Sequence, residues 1–204
     1  DLSKLEPTVA CHPDPGQRKK AKEMNQQLDR AYVGSCTGGK TSDFVEFARV
    51  LRGKKVVIDT FGVPATPEIV NDLQSTYWGN STIWQILVDA GVQMTENAGC
   101  AACLGGPVDT FGRINKSGIN CISARNRNGP GRMGEKESKG FLASPATVEH
   151  EILTVCSARP EGQAHGKLKL SSSAGGWRVT GTHGGRKVNV RLTVAGNGVP
   201  VVEP

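Results

Sequence analysis

The chain has 204 residues, enough to bury a sizeable core, and 37% of them are hydrophobic, as in an ordinary soluble protein. No apolar run approaches the roughly 18 residues that a membrane span requires. The formal net charge is +6, but the basic residues are dispersed and aromatic residues make up only 5%. The sequence therefore favours acidic partners or substrates and disfavours specific nucleic-acid binding.

Residues 1–29 are predicted to form an extended lead-in. It is rich in proline at first and contains a polar helical piece around 17–29. The run "RAYVGSC" at 30–36 is apolar and breaks at a glycine, which predicts a short buried strand.

A helix is predicted over residues 41–53. Thr41 or Ser42 would be its N-cap, and Gly53 fits its C-terminal end. The apolar residues that recur with helical spacing are Phe44, Phe47, Ala48 and Leu51.

Strands and helices then continue to alternate along the chain. The predicted strands are 55–63, 92–97 and 118–125. The predicted helices are 66–76 with Pro67 in its first turn, 81–91, and one that opens with Ser144 as cap and Pro145 at its first position. This alternation predicts an α/β fold with a mostly parallel sheet in a three-layer α/β/α arrangement.

The pattern changes near the C-terminus. From about residue 157, apolar and polar residues alternate between Gly-rich turns, which predicts a small antiparallel β meander. We therefore expect three parts: a lead-in at 1–29, an α/β/α domain at 30–158 and a meander at 159–204.

Six cysteines lie at positions 11, 36, 100, 103, 121 and 156. This number is too small for a disulfide-stapled miniprotein and better fits a reducing, intracellular compartment. Cys121 and Cys156 are interpreted as small core residues and Cys11 as a loop thiol. The chain begins at Asp1, which we interpret as a mature form after removal of a leader or as one segment of a longer chain. The mitochondrial matrix or a plastid would fit a removed leader.

Three thiols are placed at strand ends. Cys36 follows the first predicted strand, and Cys100 and Cys103 follow the third. The Asn- and Arg-rich segment 124–132 follows the fourth. Because ligands of open α/β sheets bind outside the carboxyl ends of the strands, these loops are expected to meet at one edge of the sheet.

A disulfide framework, a redox switch, a zinc site and an iron–sulfur cluster are the candidate uses of these thiols. Structural zinc requires four protein ligands, and no fourth Cys or His is clearly placed nearby. A redox pair would use Cys100 and Cys103 but leave Cys36 idle. A [4Fe–4S] cluster held by three thiolates uses all three and leaves one iron open to water or substrate.

Several motifs, taken together in this order, resemble the aconitase family, which includes the 3-isopropylmalate dehydratase large subunits and the homoaconitases. They are "GSCT" at 34–37, "GCAAC" at 99–103, "NRNGPGR" at 126–132 and "ASP" at 143–145. The lead-in "DLSKLEPTVACHPDP" also resembles the stretch before "GSCT" in the isopropylmalate dehydratases. The resemblance covers roughly residues 1–156 and implies the third, cluster-binding domain of that fold.

The resemblance implies roles for eight residues. Cys36, Cys100 and Cys103 would ligate a [4Fe–4S] cluster. Asn126, Ser35 and Thr37 would lie against the cofactor, and Arg127 and Arg132 would bind substrate carboxylates. The sequence departs from the family at Gly38, where asparagine is usual, and at Gly129 and Pro130, where an aromatic residue normally packs.

The function implied is that of a cluster-binding component of an isopropylmalate dehydratase-type hydro-lyase, which dehydrates and rehydrates a hydroxy polycarboxylate. The family's catalytic serine and its His/Asp pairs lie in other domains, so no catalytic residue is assigned within this chain. A swivel-domain subunit or a larger multi-subunit assembly would be its partner. The alternative is a non-catalytic, aconitase-derived accessory subunit that uses this domain and the meander for docking. RNA binding is a weaker third interpretation.

Overall fold

The computed structural model describes residues 6–24 and 26–148 together with the backbone of four strands between residues 168 and 203. Its contacts divide the chain into two compact units, Asp1–Ser157 and Ala158–Pro204. No helix in the described part is long and apolar enough to cross a membrane.

The first unit contains nine strands. They are β1 (Thr8–Ala10), β2 (Arg18–Lys20), β3 (Arg30–Gly34), β4 (Asp59–Val63), β5 (Tyr77–Trp78), β6 (Ser81–Thr82), β7 (Gln93–Met94), β8 (Asn120–Ser123) and β9 (Lys139–Leu142). Its helices are α1 (Ser35–Gly38), α2 (Thr41–Leu51), α3 (Pro67–Ser75), α4 (Ile83–Ala90) and α5 (Ala101–Leu104).

Seven of these strands form one sheet in the order β2-β1-β9-β8-β3-β4-β7. The five strands from β9 to β7 are parallel, whereas β1 and β2 pair antiparallel at one edge. β5 and β6 form a separate two-stranded hairpin. The mostly parallel sheet predicted from the alternation of elements is therefore confirmed.

Helices α2, α3 and α4 cover one face of this sheet. The periodic residues of α2, from Phe44 to Leu51, are fully buried, because the i, i+3, i+4, i+7 spacing places them on one side of the helix. They pack with Ala31 and Val33 of β3 in the larger apolar cluster. The predicted C-terminal glycine, Gly53, follows this helix in a left-handed conformation.

The other face of the sheet carries a smaller apolar cluster. Tyr32, Phe61 and Cys121 come from the strands, and Ala102 of α5 and Met133 pack against them. Cys121 is completely buried, as expected of a core cysteine. The short helix α5 therefore forms part of the layer on this face, which fits the expected three-layer arrangement.

Two predictions about local structure are wrong. Residues 17–29 do not form a helix, because β2 pairs with β1 and a single 3-10 turn, Ala21–Glu23, follows it. The N-cap of α2 is Lys40, whose N–H donates to Asp43 at 3.1 Å, while the Thr41 hydroxyl donates to Asp72.

Several boundaries also differ from the sequence prediction. The strands β4, β7 and β8 are shorter than predicted, and α4 begins after its N-cap Thr82 because Ser81 belongs to β6. A helical turn starts at Pro145, where the Thr147 N–H donates to the hydroxyl of the predicted cap Ser144 at 3.2 Å. The remainder of this helix and Cys156 lie outside the described residues.

The second unit contains four strands, β10 (Leu168–Ser173), β11 (Gly176–His183), β12 (Arg186–Val194) and β13 (Pro200–Glu203). Each pairs antiparallel with the next in chain order. The antiparallel meander predicted from the alternating pattern is therefore confirmed.

Candidate metal centre

Cys36 lies on the short helix α1, which begins directly after β3. Two glycines allow the backbone of this turn to approach the ends of the neighbouring strands closely. A Cβ at Gly34 would lie 2.4 Å from the Val63 carbonyl oxygen, and a Cβ at Gly38 would lie 1.9 Å from the Ala124 carbonyl oxygen. Ser35 turns the chain with a φ of 64°, and its buried hydroxyl hydrogen-bonds Tyr32 at 2.9 Å. The result places Cys36 and Thr37 on the exposed edge.

Cys103 lies on the short helix α5, and Cys100 lies next to its start. Cys100 is the residue before the helix, and Gly105 ends the helix in the left-handed conformation with a φ of 76°. Ala102 belongs to the smaller apolar cluster and Cys103 is buried, whereas Cys100 is half-buried.

The two segments bring their thiols together. The Sγ atoms of Cys36 and Cys100 lie 4.0 Å apart, although 64 residues separate them in the chain. Cys103 and the Ser35 hydroxyl are close enough to Cys100 to lower its pKa, and the Thr37 hydroxyl lies 3.8 Å from the Cys36 sulfur. All three cysteines are free of disulfides.

The surroundings act on the two thiols of α5 in opposite directions. Burial alone would raise the pKa of Cys100, but hydrogen bonds from Cys36, Ser35 and Cys103 outweigh it and lower that pKa. For Cys103, deeper burial dominates and raises the pKa, although the charges of Arg125 and Arg132 oppose the effect. The surroundings thus shift the pKa of Cys100 towards the thiolate and that of Cys103 towards the neutral thiol.

The arginine-rich loop after β8 lies beside these thiols. Arg127 and Arg132 line one open depression of about 300 Å³ together with Pro13 and Pro15 of the lead-in. Asn126 and Arg127 are exposed, and Arg132 is half-buried. Arg132 is close enough to Cys103 to lower its pKa, whereas none of the three cysteines lines the depression.

Two further residues shape this loop. Asn128 is fully buried, and its side-chain amide donates to the Ala10 carbonyl oxygen at 3.3 Å. His12 Nδ1 lies 2.7 Å from the Asn128 carbonyl oxygen and 3.4 Å from the Gly140 backbone nitrogen. The lead-in therefore holds the arginine loop from across 116 positions of sequence, a relation without a local sequence signal.

Arg125 was also missed as a site residue by the sequence analysis. It is 4% exposed, and its Nε donates to the Ser123 hydroxyl at 2.7 Å. The sequence offered one signal, a charged residue at the end of a predicted buried strand.

The donor set fits an iron–sulfur centre in its chemistry, because free thiols are the soft ligands that such clusters take. In the part of the chain that the structure describes, no three His, Cys, Asp or Glu side chains are arranged to hold a metal ion.

Comparison with known proteins gives one consistent result. A model of the aconitase family (aconitate hydratase) matches residues 1–154. The chloroplastic 3-isopropylmalate dehydratase large subunit of Arabidopsis thaliana is 45% identical over 166 residues, which are 78% of this chain and 32% of the relative.

Two further 3-isopropylmalate dehydratase large subunits are also similar. That of Picrophilus torridus is 35% identical, with 79% of this chain and 37% of the relative covered. That of Saccharolobus solfataricus is 36% identical, with 72% and 33% covered. The chain thus spans about a third of the length of these relatives.

Proposed function

Because this chain belongs to the aconitase family, we propose that it is the cluster-bearing part of a hydro-lyase of the 3-isopropylmalate dehydratase type. Cys36, Cys100 and Cys103 would hold a [4Fe–4S] cluster. The observation that carries the proposal is the approach of the free Cys36 and Cys100 sulfur atoms to 4.0 Å from two distant segments, with the free thiol of Cys103 three residues further along the chain.

The small residues around the thiols support cluster binding. Ala101, Ala102 and Gly105 leave room for the backbone of α5 to approach an inorganic core, and backbone N–H groups can then donate to its sulfur atoms. Ser35 and Thr37 flank Cys36 and are proposed as further polar contacts to the cofactor, as is Asn126 at the start of the arginine loop.

A bound cluster of this kind supplies a Lewis-acidic iron that can polarise a substrate hydroxyl or bind a carboxylate. Arg127 and Arg132 would orient an anionic substrate, since each guanidinium can hold a carboxylate through two parallel hydrogen bonds. Their shared depression supports this role, because a polycarboxylate needs two cations at a fixed separation. His12 and Asn128 would position the loop that carries both arginines.

Dehydration of a hydroxy acid breaks one C–H and one C–O bond and releases water, so a base must accept the carbon-bound proton. We assign no residue of this chain to that task. The base is proposed to lie on a small-subunit partner or in a region beyond the third of the relatives' length that this chain spans. A plastid location is proposed because the Arabidopsis relative is named chloroplastic. The domain at 30–158 would carry the site, and the meander at 159–204 would dock the partner.

Anaerobic reconstitution with ferrous iron and sulfide tests cluster binding. The wild-type chain should acquire visible charge-transfer absorbance and near-stoichiometric iron and sulfide, and Cys100→Ser should lose most of both. Cys11→Ser is the matched control, because Cys11 packs against Met24 away from the other thiols, with 3.7 Å between the sulfur atoms. Equal iron and sulfide in Cys100→Ser and wild type would reject the ligand assignment.

A further inference from the structure

Arg125 is a buried cation without a matching anion. Its side chain is 4% exposed, and its Nη1 is completely buried with no hydrogen-bond partner. Among the described residues, the ion pairs involve other side chains, and no carboxylate lies within reach of this guanidinium. Its one side-chain hydrogen bond, to the Ser123 hydroxyl at 2.7 Å, engages a neutral group.

The guanidinium lies in the same layer of the fold as the buried thiol Cys103. It folds back over β8 and β9, where a Cβ at Gly140 would lie only 2.6 Å from Arg125 Nη2. Gly140 is the register partner of Cys121, which belongs to the same apolar cluster as Ala102, the residue before Cys103. Among the charged side chains that change the pKa of Cys103, Arg125 has the largest effect, and it lowers that pKa.

Such a charge is costly unless an anion compensates it. Removing an ion from water costs several kcal/mol even after relaxation of the protein, and a neutral hydroxyl returns only part of that. Asn128 also has a buried, unpartnered oxygen, but an amide oxygen can accept one N–H without neutralising the charge. Arg127 and Arg132 are partly or wholly solvated and do not share this problem.

We propose that Arg125 is the counter-charge of the anionic centre that Cys36, Cys100 and Cys103 hold, with its free Nη1–H directed to that centre. This inference rests on the proposed function. A thiolate-held iron–sulfur cluster carries net negative charge, and the charge and hydrogen bonds around it set its stability and its reduction potential. Arg125 keeps a fixed positive charge where water does not screen it.

The test compares Arg125→Met, which keeps the length of the side chain and removes its charge, with wild type. The metal-free variant should be at least as stable as wild type to urea, because an unpaired buried charge has been removed. After reconstitution, the variant should lose iron to a chelator at least tenfold faster. Its cluster should also have a lower midpoint potential, since a nearby positive charge favours the reduced form.

Two further variants make the result decisive. Arg125→Lys keeps the charge and should retain most of the wild-type potential. Arg52→Met removes a charge from a separate depression lined by Lys54 and Lys55 and should change neither iron loss nor potential.

Three outcomes would overturn the inference. A destabilised metal-free Arg125→Met with unchanged iron loss and potential would show a structural role, and an Arg125→Lys potential equal to that of Arg125→Met would exclude charge compensation. Failure of wild type itself to take up iron and sulfide would reject the proposed function and this role with it.

Discussion

Replacing Gly38 with alanine should separate the thiols by lifting α1 away from β8. The new Cβ would lie 1.9 Å from the Ala124 carbonyl oxygen, about 1.5 Å closer than ordinary van der Waals contact, and 2.7 Å from the Ala124 Cβ. Because the obstructing atoms belong mainly to the backbone of a buried strand end, they cannot move aside as a flexible side chain can.

The cost follows from the size of this overlap. Overpacking a core typically lowers the free energy of unfolding by about 1–3 kcal/mol. Because the new Cβ would overlap backbone atoms, we expect Gly38→Ala to lie near the upper end of this range, at about 3 kcal/mol. For a domain of this size such a loss lowers Tm by roughly 6–12 °C. Movement of α1 would also carry Cys36 away from Cys100, so iron retention after reconstitution should fall together with stability.

Urea and thermal unfolding of the metal-free chain, followed by iron analysis after reconstitution, measure both effects. Gly129→Ala is the matched control, because its added Cβ would meet nothing nearer than the Pro13 carbonyl oxygen at 3.9 Å. The control should change stability by less than about 0.5 kcal/mol. A Gly38→Ala chain as stable as this control would refute the close approach of α1 to β8.

Two more predictions concern the alkaline range and turnover. Burial raises the pKa of Cys121 to about 11 from an ordinary value of 9.0. Because the folded state holds this proton more tightly than the unfolded state, the stabilisation from the neutral thiol is fully present below pH 9 and is lost between pH 9 and 11. Wild type should therefore lose about 2–3 kcal/mol more than Cys121→Ala in urea unfolding across that range, and parallel pH profiles would contradict this. The reconstituted chain alone should not convert isopropylmalate, because no residue here is assigned as the base; measurable turnover would contradict the proposal that the base lies elsewhere.

The elements that could be predicted are those whose partners are close in sequence. The spacing of four apolar residues alone predicts α2, and all four are buried in the structure: Phe44, Phe47, Ala48 and Leu51. The lead-in could not be predicted in this way, because β1 pairs with β9 more than a hundred residues later, where Ala10 faces Leu142. Strand β9 itself is four residues long and contains Gly140, so it lacks a strong local signal.

The same distinction holds in the candidate site. Placement of Cys36 and Cys100 after two parallel strands predicted that their thiols would meet, because the parallel strands of one sheet end at a common edge, here with β4 between β3 and β7. The lack of a hydrogen-bond partner for Nη1 of Arg125 could not be predicted, because it depends on the positions of side chains that are distant in sequence. Ligand roles for Cys36, Cys100, Cys103 and the loop arginines stay predictions.

The two outer strands of the seven-stranded sheet bear on self-association. An unpaired strand edge is a template for pairing with another chain, and charged side chains or very short strands block such growth. β2 has the sequence Arg-Lys-Lys with all three residues exposed, and β7 at the opposite border has only two residues. Two copies meeting at the β2 border would therefore bring six cations together, so this unit is built to resist edge-to-edge aggregation most strongly at low ionic strength.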